Sequence, residues 1–149
     1  MDKRLYIAML SLALLGLAVA TYMTIYKWTD NNNMCLGSGD CSTVNASKYS
    51  EVNGIPVALI GVLGYAAILG TLVFEKRASF LKEFFAENAS LLVFGFALTG
   101  FLFTLWLIYV EIFLIKALCP FCLASQAIMT VIFILSIIRL VRQPQLQEE

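Results

Sequence analysis

Ala117–Ile138 reads ALCPFCLASQAIMTVIFILSII and carries no charge along its whole length. A helix needs about 20 apolar residues to cross the hydrocarbon core of a bilayer, so this run is long enough to span. Its first turn holds Cys119-Pro120-Phe121-Cys122. Cysteines at i and i+3 share one face of a helix, at a spacing that suits a disulfide. Proline belongs in the first helical turn, where its missing N–H costs nothing. The partial positive charge of a helix N-terminus favours thiolate over thiol, and a thiolate is both the better nucleophile and the better leaving group. The stretch therefore predicts a membrane helix that opens on a redox-cycling cysteine pair.

Three more runs have the same character: Leu5–Tyr26, Ile55–Phe74 and Asn88–Val110, the last extending past Glu111 to about Ile115. Only helices and closed barrels satisfy the backbone in lipid, and the alternation of a barrel strand is absent. The expectation is an all-α integral membrane four-helix bundle, with spans at about 5–26, 55–74, 88–115 and 117–138. The third and fourth spans, joined by a few residues, should form a tight antiparallel hairpin. Composition agrees. Of 149 residues, 60% are apolar and 13% charged, against about 25% charged in soluble domains. Net charge is zero, with Lys and Arg scattered singly or in pairs, so there is no nucleic-acid footprint. Histidine is absent, which leaves proton chemistry to thiols, carboxylates, tyrosines or water.

Lys3, Arg4, Lys76, Arg77, Lys82, Arg139 and Arg142 flank one set of span ends, and Lys27, Lys48 and Lys116 the other. The positive-inside rule then puts both termini in the cytoplasm and the Lys27–Gly54 loop outside, in a plasma membrane with all four cysteines on the outer face. That is the oxidising side, where disulfides persist. Lys3, Arg4 and the later Ala18-Val19-Ala20 also resemble a cleavable signal peptide; the apolar run continuing through Tyr26 to the interfacial Trp28 favours a retained helix. Cys35 and Cys41 sit in the outer loop around Gly37 and Gly39, which let the chain double back. Taken alone, that pair also fits a structural disulfide brace. A zinc site is disfavoured, because the five-residue gap is wider than the usual ligand spacing.

Two longer patterns carry a resemblance. Cys41-Ser42-x-Val44-x-x-Ser47-x-Tyr49, then Gly54-Ile55-Pro56, Gly61 and Tyr65, resembles the first-loop and second-helix signature of the vitamin K epoxide reductase family. Tyr109-x-Glu111-x-Phe113-x-Ile115-x-Ala117-x-Cys119-Pro120-x-Cys122 resembles the bacterial and archaeal form of its active-site helix. The resemblance covers most of the chain. It implies a four-helix bundle around a quinone (ubiquinone, menaquinone or phylloquinone), no metal, and an outer loop carrying a short helix that caps the site. It also implies roles: Cys35 exchanges disulfides with an exported thioredoxin-like (DsbA-like) protein, Cys41 relays to Cys119, Cys122 delivers electrons to the membrane quinone pool, and Ser47 holds the loop or the substrate. Bacterial relatives often carry a fused thioredoxin-like domain; the sequence ends at Glu149 without one, so a separate partner is expected. The animal enzymes place an asparagine of the second helix and a tyrosine after the CxxC against the vitamin K ring. Val57 and Gln126 stand there instead, which favours plain quinone reduction over reduction of vitamin K epoxide. The cysteine order argues against a DsbB-type oxidoreductase, whose CxxC comes first. A non-enzymatic membrane subunit braced by outer disulfides is the reading from another class.

Glu111 could take up protons beside the quinone, as an ionisable residue in a span suggests. Its place near the helix end favours instead an interfacial side chain paired with Lys116 or the loop. Phe94, Phe96, Phe101 and Phe103 read as lipid-facing or core residues. Gly61, Gly64 and Gly70 read as sites of close helix packing. Asn45 reads equally as a substrate contact or a turn residue. A reporter fused after Arg142 should be active on the cytoplasmic side, and one inserted in the Lys27–Gly54 loop on the outer side; an outer C-terminal reporter would overturn the topology.

Overall fold

The computed structural model describes residues 3–29, 40–77 and 82–147. Four long helices dominate: α1 Lys3–Thr29, α3 Val57–Arg77, α4 Lys82–Tyr109 and α5 Pro120–Gln147, with a short helix α2 at Asp40–Ala46 between the first two. All four contain stretches long and apolar enough to cross a membrane. α1 packs on α3 and α5, and α4 packs on the same two, so α1 and α4 take opposite corners of a four-helix bundle. The outer surface of this bundle is apolar; Leu14, Leu63, Leu91, Leu102, Ile134 and Val141 are all exposed, as contact with lipid requires. Threonines on the helices return their hydroxyls to a carbonyl one turn back, as Thr21 does to Leu17 and Thr99 to Gly95. That local bond removes the need for a partner that lipid cannot supply.

The packed core fills the half of the bundle remote from the cysteines, around Met9, Ala13, Ile68, Leu72, Val93 and Ile132. Gly16 is its tightest point. A Cβ there would collide with the Tyr65 ring, so the missing side chain is what lets α1 and α3 close. Of the three glycines expected to mediate close packing, Gly61 has Ala20 at ordinary contact distance, while Gly64 and Gly70 have nothing within 4 Å of a Cβ. Arg139, counted above among the charges that follow the fourth span, lies within α5. It is buried there and ion-paired at 2.7 Å with Glu75 of α3.

Two span boundaries differ from the sequence expectation. Ile55–Pro56 is a strand, β2, paired antiparallel with β1 at Glu51–Val52, so α3 begins at Val57. Asn53 and Gly54 both have positive φ, 54° and 81°, the backbone of a tight hairpin turn for which Asn-Gly is the preferred pair. The fourth helix begins at Pro120, not Ala117. Ahead of it, α4 passes into a wider π-helical turn at Val110–Ile115, and Lys116 stops that turn in the left-handed conformation at φ 56°. The result is the tight α4–α5 hairpin that the short connection predicts.

Candidate active site

The chain reversal at Lys116 sets up the cysteine end. The N–H groups of Lys116 and Ala117 both reach the Glu111 carbonyl, the second at 3.3 Å. Six residues after Ala117, the Leu123 N–H donates to the Cys119 carbonyl at 2.9 Å. Cys119 is thus the residue that caps α5, with Pro120 in the first helical position as its fixed φ favours. Its side chain is fully buried, at 0% exposure. The Cys119 thiol is held below the ordinary thiol range: the hydrogen bond with Cys122 is the largest cause, and the backbone N–H groups of Cys122 and Phe121 help. Burial and the Glu111 charge oppose the shift.

Helix α2 lies across this end as a cap. Its Cys41 is buried and disulfide-bonded, and the Cys41 and Cys119 sulfurs approach to 3.4 Å. Cys119 and Cys122 are free thiols. Reacting atoms about 3–3.5 Å apart are in near-attack range. Cys35 falls outside the described residues. Met23 and Tyr26 of α1 pack around Cys41 and Cys119. Lys27, at the end of α1, holds the cap: its Nζ donates to the Asn45 carbonyl at 2.6 Å and the Ser50 Oγ at 2.9 Å, and ion-pairs with Glu51 at 3.3 Å. The Ser47 hydroxyl donates to the Val44 carbonyl at 2.7 Å. It closes the end of the cap helix and does not line the cavity below it.

That cavity, about 300 Å³, lies between the cap and the core, a volume at the lower end for small-molecule sites. Cys122 lines it, and Cys41 and Cys119 do not. The three described cysteines therefore have distinct surroundings, with Cys122 alone facing the cavity. Val57 and Gln126 are in the wall. Glu111 is there too, and this corrects its expected place at the interface. It is 3% exposed and accepts a hydrogen bond from Gln126 Nε2 at 3.2 Å; Cys122 is close enough to interact with it. The reason is the helix face. Gly100, Thr104, Leu107 and Glu111 recur at helical spacing along α4 and all face the cavity, and the π-helical turn carries that face on to Ile115. Phe96 and Phe103 also line the cavity, whereas Phe94 and Phe101 stack on Phe133. Asn45 faces the cavity from the cap.

Residues 7–137 match the model of the vitamin K epoxide reductase family. That family comprises oxidoreductases that use quinones and generally work with thioredoxin-like partners. With Cys41 in its disulfide, the ultraviolet thiolate absorbance of Cys119 should persist to lower pH than that of an ordinary thiol, which titrates near 8.5. Cys122→Ala removes the leading cause of the lowered value, so the titration should move to higher pH. An unchanged titration curve would show that the cysteine pair does not tune itself.

Proposed function

Because the chain belongs to the vitamin K epoxide reductase family, we propose that it is a membrane thiol–disulfide oxidoreductase that oxidises an exported thioredoxin-like partner and reduces a quinone, supporting disulfide formation. The observation that carries this reading is the 3.4 Å approach of Cys41 to Cys119 with Cys122 turned to the cavity. It supports a one-way order of sulfurs: the cap, then the helix cap residue, then the cavity.

In that order, a partner thiolate attacks Cys35, and Cys41 leaves as a thiolate. The partner's second thiol then resolves the mixed disulfide and departs oxidised. Cys41 attacks Cys119 of the Cys119–Cys122 disulfide, and Cys122 is freed. Cys35 closes back on Cys41 and releases Cys119. The Cys119–Cys122 dithiol finally gives two electrons and two protons to the quinone and returns to the disulfide. The sum is partner dithiol plus quinone to partner disulfide plus quinol. An acceptor must be more oxidising than strong thiol oxidants at about −120 mV, which glutathione is not and a quinone can be. The lowered Cys119 thiol suits it as the leaving group when Cys35 closes the outer pair. In this reading the cysteine end faces the oxidising side of the plasma membrane and both termini face the cytoplasm.

Glu111 is the proton carrier of the site. With no histidine in the chain, its buried carboxyl is the acidic group of the cavity wall, and its Oε2 has no hydrogen-bond partner. Val57, in the wall where the animal enzymes have an asparagine, offers no hydrogen bond, which favours a quinone over an epoxide as the acceptor.

Cys122→Ser should abolish quinone reduction. The double variant Cys35→Ser, Cys122→Ser leaves Cys41 and Cys119 only each other, and peptide mapping should find them bonded. Two free thiols in that variant under oxidising conditions would break the relay. Glu111→Gln keeps the shape and the contact to Gln126 but removes the acid. It should lower kcat for quinone reduction about 100-fold, within the usual range for general acid–base groups, and leave the Cys41–Cys119 bond able to form. A kcat within a few-fold of the unaltered protein would remove Glu111 from the reaction.

A further inference from the structure

The cavity's side chains can be sorted by whether their hydrogen-bonding groups are already engaged. The Thr99 and Thr104 hydroxyls donate to carbonyls of their own helix. The Tyr65 hydroxyl reaches the Ser125 carbonyl at 2.8 Å. Lys27 is held by the cap and Glu51, and Gln126 Nε2 by Glu111. Among the described residues that line the cavity, three buried side-chain atoms are left without a partner: Glu111 Oε2, Gln126 Oε1 and Asn45 Nδ2. The first two are acceptors. Asn45 Nδ2 is the buried donor.

A buried donor without a partner costs roughly 1–3 kcal/mol, and native structures seldom leave one unless a ligand, ion or water completes it. The position of this one is fixed. Lys27 pins the Asn45 carbonyl at 2.6 Å, and Ser50 Oγ reaches the same carbonyl at 2.7 Å, so the backbone that carries the amide cannot swing away from the cavity without breaking the cap. A quinone is the chemical complement of this arrangement, because its ring oxygens accept hydrogen bonds and donate none. The α3 wall has no free donor, since Val57 carries none and the Tyr65 hydroxyl is engaged, and the cap supplies one.

We propose that the Asn45 side-chain amide donates a hydrogen bond to a ring oxygen of the bound quinone, which makes the cap helix part of the acceptor site as well as the carrier of Cys41. This rests on the quinone reading above and deepens it. One short helix then serves both substrates: Cys41 on the side towards Cys119, and Asn45, four residues on, over the cavity. Selection follows from the same bond. A ligand with the quinone's ring skeleton but no oxygens gains nothing from Asn45, so the residue sets the preference for a carbonyl-bearing ring over other apolar molecules of the bilayer.

The test measures binding, in the full-length Cys122→Ser protein in detergent, where turnover cannot deplete the ligand. The probes are menadione, a naphthoquinone without a long tail, and 2-methylnaphthalene, the same skeleton without oxygens; the readout is the ligand-dependent shift of the thermal unfolding midpoint. Asn45→Leu and Asn45→Asp should each weaken menadione about tenfold, the usual size for one buried hydrogen bond, and leave 2-methylnaphthalene unchanged. The Cys41–Cys119 bond should still form when either substitution is placed on Cys35→Ser, Cys122→Ser. Menadione bound equally well with and without the amide would overturn the proposal. So would equal weakening of both probes, or loss of the Cys41–Cys119 bond, since either result would make Asn45 a support for the cap only. If the Cys122→Ser protein with Asn45 intact binds no menadione, it is the quinone reading itself that fails.

Discussion

The approach of the Cys41 and Cys119 sulfurs to 3.4 Å is the constraint on which the rest of the cysteine end depends. Two thiols on separate elements exchange only if both elements are held against thermal motion, and each is held by a different device. Cys119 is fixed by the left-handed stop at Lys116 and by its position as the cap of α5. Cys41 is fixed by the lysine at the end of α1, which ties the carbonyl of Asn45 and the hydroxyl of Ser50, and by the Asn53–Gly54 turn that brings the chain back to α3. The energy of the fold lies in the apolar core at the far half, and the precision of the site lies in a few polar bonds at this one.

Cys122 lines the cavity, whereas Cys41 and Cys119 meet each other outside its wall. Cys41 and Cys119 are packed among Met23 and Tyr26 and do not line the cavity. Cys122 shares the wall with Glu111 and Gln126. A small diffusing molecule in the cavity therefore meets one sulfur of the described three, with a carboxyl beside it. In the proposed reaction the quinol's protons come from side chains or water, and the Glu111 carboxyl stands in the wall beside Cys122.

Four spans and the position of the CxxC at a helix start were legible because each depends on local chemistry alone: apolar length for the spans, proline and thiol placement for the helix start. The hairpin at Asn53–Gly54 was equally legible, since Val52 and Ile55 flank a pair that prefers that turn; reading Ile55 as the start of a membrane run hid it. Glu111 departs from expectation for a different reason. Distance from the helix end points to the interface, whereas the helix face, shared with Thr104 seven residues before it, points to the cavity. The phenylalanines show where sequence stops. Phe94 and Phe101 share one face, Phe96 and Phe103 another, and nothing in α4 tells which face meets α5 and which meets a cavity. That is decided by Phe133 on another helix. The meeting of Cys41 with Cys119 was implied by the family resemblance; loop length only permits it.

The core and the active site are joined through Gly16. Because Gly16 has no side chain, the Tyr65 ring can occupy the space beside α1. From there its hydroxyl reaches both the Ser125 carbonyl, at 2.8 Å, and the Ser125 Oγ, at 3.1 Å. Ser125 is one residue short of Gln126 and three past Cys122, so this bond holds the turn of α5 that presents both to the cavity. A methyl group at Gly16 would push the ring away from α1, and the displacement would be felt first at Ser125. The chain from α1 to the redox turn thus runs through one ring and one hydroxyl. A substitution in the middle of the first helix, far in sequence from every cysteine, would alter how Cys122 and Gln126 face the cavity while the sulfur contact between the cap and Cys119, held by separate bonds, stays in place.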